Sequence, residues 1–162
     1  MDGAVLVRTT YFKPMTDLKT RITEDVKTAM KAGDKARVST LRMLTAEMKQ
    51  REVVDAVELT DAVVISAIEK MVKQRRDSEA QYRSGNRPEL ADKEAQEIAL
   101  LLGYLPQQLT PAEVDALIAQ AIAETGAAGG KDMGKVMAWL KPKVAGKADM
   151  GKLSGLIKAK LA

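Results

Sequence analysis

Apolar residues recur in this chain every three or four positions, and glycines, prolines and capping residues cut the pattern into short pieces. Leu18, Ile22, Val26, Ala29 and Met30 share one helical face, with Thr16 as cap and Gly33 closing the run, which predicts a helix from Asp17 to Ala32. Asp34 caps a second helix with the stripe Val38, Leu41, Leu44 and Met48, ending between Glu52 and Val57. Thr60 opens a third through Tyr82, with Val64, Ile68, Met71 and Val72 inward and Gly85 as its stop. Pro88 suits the first turn of a fourth, which carries Ile98, Leu101 and Leu102. Composition agrees: Ala, Leu, Met, Lys and Glu are good helix formers, and one Trp, one Phe and three Tyr leave few strand-favouring aromatics. The expected fold class is all-α, an N-terminal helical bundle followed by a small three-helix C-terminal lobe.

The boundary is expected at Tyr104-Leu105-Pro106, because Pro106 disfavours helix at Leu105. This gives a bundle over 15–105 and a lobe over 106–162. Residues 1–14 read as a non-native or upstream leader, with Met15 as the start, since the helical pattern begins only after Met15-Thr16-Asp17. The apolar run Ala4-Val5-Leu6-Val7 is too short for a signal-peptide core, and Asp2 argues against a transit peptide. The lobe opens on Thr110-Pro111-Ala112-Glu113, a capping box with Pro at the first helical position. Its helix carries Val114, Leu117, Ile118, Ala121 and Ile122 and stops at Gly126, before a flexible loop through Gly130.

The lobe then says one thing twice. Asp132-Met133-Gly134-Lys135 returns as Asp149-Met150-Gly151-Lys152, and Val136, Trp139, Leu140 and Lys141 answer to Leu153, Leu156, Ile157 and Lys158. A Gly-Lys pair announces each copy, Gly130-Lys131 and Gly146-Lys147. Two short helices, separated by Pro142 and Gly146, are expected to start alike, each with an Asp cap. A helix start with a glycine and a lysine is a candidate place to hold an anion.

Charge singles out the same region. Residues 127–162 hold eight Lys against Asp132 and Asp149, a net +6, whereas residues 110–126 carry Glu113, Asp115 and Glu124 and no base. Residues 1–109 are nearly neutral, with 18 basic and 17 acidic groups. A basic end attracts polyanions, although a solvated Lys-rich helix face accounts for the composition equally well. The chain has no Cys and no His, which excludes zinc fingers, thiol nucleophiles and His-dependent triads. No metal, cofactor or membrane span is expected, and the Cys-free composition suggests a cytoplasmic protein.

The sequence resembles the GatB/YqeY family, in particular its stand-alone YqeY-like members. The stretches that carry the likeness are Lys27-Thr28-Ala29-Met30-Lys31, Asp34-Lys35, Thr40-Leu41-Arg42-Met43-Leu44 and Lys73-Gln74-Arg75-Arg76-Asp77-Ser78. Tyr104-Leu105-Pro106-Gln107-Gln108-Leu109, Asp132-Met133-Gly134-Lys135-Val136-Met137 and Gly146-Lys147-Ala148-Asp149 continue it in unbroken order over roughly residues 16–162. The resemblance implies a helical bundle joined to a smaller helical lobe. It also implies a likeness to the C-terminal tail of the GatB component of the tRNA-dependent amidotransferases, which helps to hold tRNA while Glu-tRNA(Gln) or Asp-tRNA(Asn) is amidated. The family is commonly labelled amidotransferase-like, a carbon-nitrogen ligase with glutamine as amide donor.

The residues do not supply that chemistry. Releasing ammonia from glutamine needs a Cys or an activated Ser, and Ser39, Ser66, Ser78, Ser84 and Ser154 are scattered. The Gly126–Lys135 stretch lacks the Gly-Lys-Ser/Thr ending of an ATP-binding loop. No catalytic residue is assigned, and catalysis by the chain alone is disfavoured. The candidate RNA-binding residues are Lys131, Gly134, Lys135, Lys147, Gly151 and Lys152 of the repeats, with Lys73, Arg75 and Arg76 of the bundle.

Each has a structural reading beside it. Asp132 and Asp149 are caps, Glu69–Lys73 and Glu79–Arg83 are well-placed helix pairs, and Arg42 suits an ion pair between bundle helices. Trp139 follows the apolar phase of Val136 and Leu140, which favours packing over base stacking. Tyr104-Leu105-Pro106 is expected to set the angle between lobes. The leading expectation is therefore a tRNA-binding, amidotransferase-tail-like accessory protein. The alternative is a protein–protein adaptor with no RNA ligand, docking on a partner in translation or tRNA metabolism through a lobe whose lysines only solvate it.

Overall fold

A computed structural model describes residues 18–162. The leader, the suggested start at Met15 and the Thr16 cap lie outside the described residues. Among the described residues the protein is all-α, with seven α-helices, one short 3-10 turn and no strand. They run α1 Leu18–Lys31, α2 Lys35–Val53, α3 Asp61–Ser84, α4 Pro88–Leu102, α5 Pro111–Thr125, α6 Met133–Val144 and α7 Met150–Leu161, with the turn at Gly130–Asp132. Two compact units divide between Tyr104 and Leu105.

The first unit is a four-helix bundle in which each helix packs on the next and α1 and α2 also reach α3 and α4. Ile22, Leu41, Leu44, Val64, Ile68 and Leu101 are fully enclosed, with Met48, Met71 and Val72 beside them. The caps follow local chemistry: Asp34 accepts from the Arg37 N–H and Thr60 from the Val63 N–H. At the start of α1 the Leu18 N–H is held by the Asp61 carboxylate of α3 at 2.9 Å, a partner 43 residues away. Gly33 takes φ +70 in the turn from α1 to α2, a conformation that costs other L-residues about 1–2 kcal/mol.

Two expectations for this unit change. Met30 is about half exposed, because in helical phase it falls at the edge of the α1 face that buries Leu18, Ile22 and Ala29. Arg42 is exposed too, its guanidinium 3.9 Å from the Met30 sulfur, and no carboxylate among the described residues pairs with it. The ion pair inside the bundle belongs to Arg75, described below.

The second unit is the α5–α6–α7 lobe. Thr110 and Glu113 form the capping box in both directions, at 3.2 and 2.8 Å, and Gly126 closes α5 in the left-handed region at φ +67. Its core is Val114, Ile118 and Ala121 from α5, Val136, Leu140 and Val144 from α6, and Leu153, Ile157 and Leu161 from α7. Pro142 lies inside α6 and does not separate the repeat helices. The N–H it lacks would have bonded the carbonyl of Ala138, and both residues are exposed, so water can serve that carbonyl. The separation falls to Ala145 and Gly146, where Gly146 takes φ +72.

Candidate nucleic-acid interface

The doubled sequence builds a symmetric core and two dissimilar helix starts. Val136, Leu140 and Val144 answer position for position to Leu153, Ile157 and Leu161, and all six are buried. In the second copy, Asp149 has extended backbone and its carboxylate accepts from the Gly151 N–H at 2.9 Å and the Lys152 N–H at 3.2 Å. That is a helix cap. A Cβ on Gly151 would stand 3.3 Å from the same carboxylate oxygen, so a glycine keeps the cap uncrowded.

In the first copy the expected Asp132 cap does not form. The chain reaches α6 through the 3-10 turn, which leaves Asp132 with φ −92 and ψ 4 and no side-chain bond to the helix. Its carboxylate turns back to the Ala128 N–H at 2.9 Å and pairs with Lys135 at 3.6 Å. The Ala128 hydrogen bond leads the causes that hold this carboxyl below its ordinary range, with Lys135 adding to it. A Cβ on Gly134 would meet nothing within 4 Å, so this glycine faces open space.

Lys131, Lys135 and Lys152 are exposed, as are Gly134 and Gly151. Lys147 is half-buried, and its backbone is engaged: its N–H donates to the Val144 carbonyl and its own carbonyl accepts from Leu109, each at 2.8 Å. Gln108 adds a bond to the Gly146 carbonyl at 2.6 Å. The segment before α5 thus straps the turn that starts the second copy.

Trp139 is half-buried against the lobe core. Its Nε1 donates to Glu124 at 2.9 Å, and the Lys143 ammonium sits 3.8 Å from the ring centre. Edge and face both have partners, which agrees with packing as its role.

The structure takes the bundle cluster apart. Lys73 is exposed and pairs with Asp77 at 3.2 Å, and Arg76 is half-buried. Arg75 turns inward from α3, its Nε donating to Glu97 of α4 at 2.8 Å and its Nη1 to the Met71 carbonyl at 3.3 Å. Both side chains of this pair are close to nine-tenths buried, so Arg75 is a core cation and not part of an RNA-facing surface. Nothing in the local sequence distinguishes Arg75 from Arg76 except helical phase: position 75 follows Ile68, Met71 and Val72 on the inward face.

Tyr104 is a further residue whose role local sequence does not reveal. It is buried in the first unit, donating its hydroxyl to Asp25 at 2.5 Å while the Arg21 guanidinium lies 4.8 Å from the ring centre. Burial first, and the hydrogen bond to Asp25 second, push its pKa up to about 12. Tyr104 anchors one end of the connection within the bundle, and Gln108 and Leu109 anchor the other within the lobe.

Comparison with known proteins places these features in a family. The model of the Yqey-like protein family matches residues 19–161. The protein named "Altered inheritance of mitochondria protein 41, mitochondrial" of Pyrenophora tritici-repentis is 29% identical over 126 residues, 75% of this chain and 70% of that protein. Its namesake in Lachancea thermotolerans is 30% identical over 117 residues, 70% of this chain and 60% of the relative. The one in Vanderwaltozyma polyspora is 33% identical over 109 residues, 65% and 56% respectively.

The match to the last two therefore spans less than two thirds of their length. These mitochondrial names overturn the cytoplasmic expectation. That expectation rested on the lack of Cys, and a chain without thiols places no redox demand on any compartment. From residue 19 to 161, through both helical units, the chain belongs to the Yqey-like protein family.

Proposed function

We propose that the chain is a tRNA-binding accessory protein, akin to the amidotransferase tail, that holds RNA through the lysines around its two repeat helices. The observation that carries this reading is the disposition of charge. Both acids of the repeats face their own backbone, Asp132 on Ala128 and Asp149 on Gly151 and Lys152, while Lys131, Lys135 and Lys152 are exposed, Lys135 also pairing with Asp132 at 3.6 Å. A phosphate approaching the repeat starts meets ammonium groups before carboxylates. Lys147 is half-buried and contributes less. Lys73 and Arg76 form a separate contact in the bundle, and Arg75 is left out. Phosphate contacts of this type recognise RNA shape with little sequence readout. The carbon-nitrogen ligase label fits as membership of a larger machine, with this chain as its holding part.

Retention of tRNA by the purified chain across a salt series tests the reading. Contact by four lysines predicts a log–log slope of about −3, at about −0.7 to −0.9 per phosphate. Charge reversal in K135E/K152E should weaken retention about tenfold or more at low salt with helicity unchanged. No retention at low salt overturns the proposal. In that event a near-stoichiometric protein captured through the lobe, and lost in the same variant, would establish the adaptor reading instead.

A further inference from the structure

We propose that the corner between α1 and α2 is a docking groove for an acidic amphipathic helix of a partner protein. The groove lies wholly in the first unit and is independent of the lobe lysines. It encloses about 630 Å³ and is lined by Met30, Gly33, Lys35, Val38, Arg42 and Met43, with Ser39 at its side. Met30 is 53% and Met43 42% exposed, whereas the other methionine of these two helices, Met48, is 3% exposed. Two thioethers beside a valine make the floor; the Met43 sulfur accepts from Arg75 of α3 at 3.6 Å, while its exposed methyl end and Met30 stay open to side chains laid on them.

The rim supplies the sign of the partner. Lys35 and Arg42 border the floor, and no carboxylate among the described residues pairs with either. The nearest acid in sequence, Asp34, is turned to the Arg37 N–H at 3.0 Å as the α2 cap. Arg37, near the same end of α2, already pairs with Asp25. An apolar trough flanked by two unneutralised cations is complementary to a helix with apolar anchors at i, i+3/i+4 and i+7 and carboxylates beside them. Gly33 matters to access: its φ of +70 makes the turn tight, and no atom lies within 4 Å of where its Cβ would be, so the mouth stays open. Among the described residues the floor has no aromatic ring for a base to stack on, which favours a protein helix over single-stranded RNA.

The experiment is a display selection on the intact chain, using a library of short amphipathic helices with fixed apolar anchors and randomised Asp, Glu, Lys and Arg at the flanking positions. Selected helices should be enriched in Asp and Glu. They should shift the methyl resonances of Met30 and Met43, and lose affinity about tenfold against R42E, or 1.4 kcal/mol. Recovery of that affinity by a helix with one flanking Glu changed to Lys would establish the charge contact. M30D, at the more exposed of the two methionines, should abolish binding without altering helicity, and M43D, whose side chain also meets Arg75, should do the same.

Three results would each overturn the proposal: winners no more acidic than the library, winners indifferent to both M43D and R42E, or concentration-dependent self-association that M43D removes. The last would assign the groove to a second copy. Loss of tRNA retention through the lobe variants leaves this outcome untouched, so the two proposals fail separately.

Discussion

The two copies of the repeat share their buried positions and differ where they begin. The second copy starts with an Asp that caps its helix and a turn strapped by Gln108 and Leu109. The first starts through a 3-10 turn whose Asp faces backward into the loop. One sequence motif therefore yields two local structures. The difference lies in what precedes the motif: in one copy an Ala127–Gly130 loop closed by its own hydrogen bonds to Ile122 and Asp132, and in the other a left-handed Gly146 with a neighbouring segment holding its carbonyl. A capping motif states which donors and acceptors are present, and the incoming backbone decides which of them meet.

The largest expected effects test the shared part. L140A and I157A each empty a fully buried site in the lobe core and should cost about 2–5 kcal/mol, measured by denaturant unfolding. Similar losses for the two would sustain the symmetry of the core. A loss under about 1 kcal/mol for one alone would break it.

Glycine exchange comes next. G146A forces a residue at φ +72 into the left-handed region and should cost about 1–2 kcal/mol. G129A, at extended φ −172 with open space for a Cβ, should be close to neutral. Equal costs would show that the two turns are more alike than their backbones are.

The aspartates differ more finely. D149A removes two cap bonds and should destabilise by about 1 kcal/mol, lowering the helicity of α7. D132A should have a smaller effect, local to the loop. Because the folded state holds the Asp132 carboxyl below its ordinary range, its contribution is present above the unfolded pKa and lost as pH falls through the folded one. Acid titration followed by NMR should show Ala128 keeping its hydrogen bond through the ordinary Asp range and losing it only at more acid pH. Coincident loss of the α6 start would mean that Asp132 caps after all.

The smallest effects concern binding. Lys135 is paired with Asp132 whereas the Lys152 backbone is held by Asp149, so K152A should lower the salt slope of tRNA retention by about 0.7–0.9 and K135A by less. Identical slopes for both variants would remove the asymmetry from the functional account.

Much of the fold was legible because its signals are local. Thr60, Pro88, the Thr110–Glu113 box and Gly126 mark helix ends within a residue or two of where they fall. The inward face of α3 follows from spacing alone, as does that of α2 except at its start, where Thr40 is buried and Val38 lines the open groove. Pro142 misled, since proline is a weak stop when the carbonyl it orphans faces water. The candidate site was legible as composition and position: the exposed lysines are where the repeat places them. Its geometry was not, because Asp132 chooses between two sets of N–H groups that differ by one turn of backbone.

Taken by itself, the sequence determined an all-α chain, the ends of most helices, the face each one buries and a basic C-terminal third. All of these depend on residues a few positions apart. The tertiary structure decided which charges remain for a partner. Arg75 is withdrawn by Glu97, 22 residues on, Tyr104 by Asp25, 79 residues back, and the Lys147 carbonyl by Leu109. Met30, Lys35, Arg42 and Met43 stay open around one groove at the corner of α1 and α2, where Arg75 of α3 reaches the Met43 sulfur from the bundle side. Whether a charge is satisfied depends on what lies across the bundle from it, and distance along the chain carries no record of that.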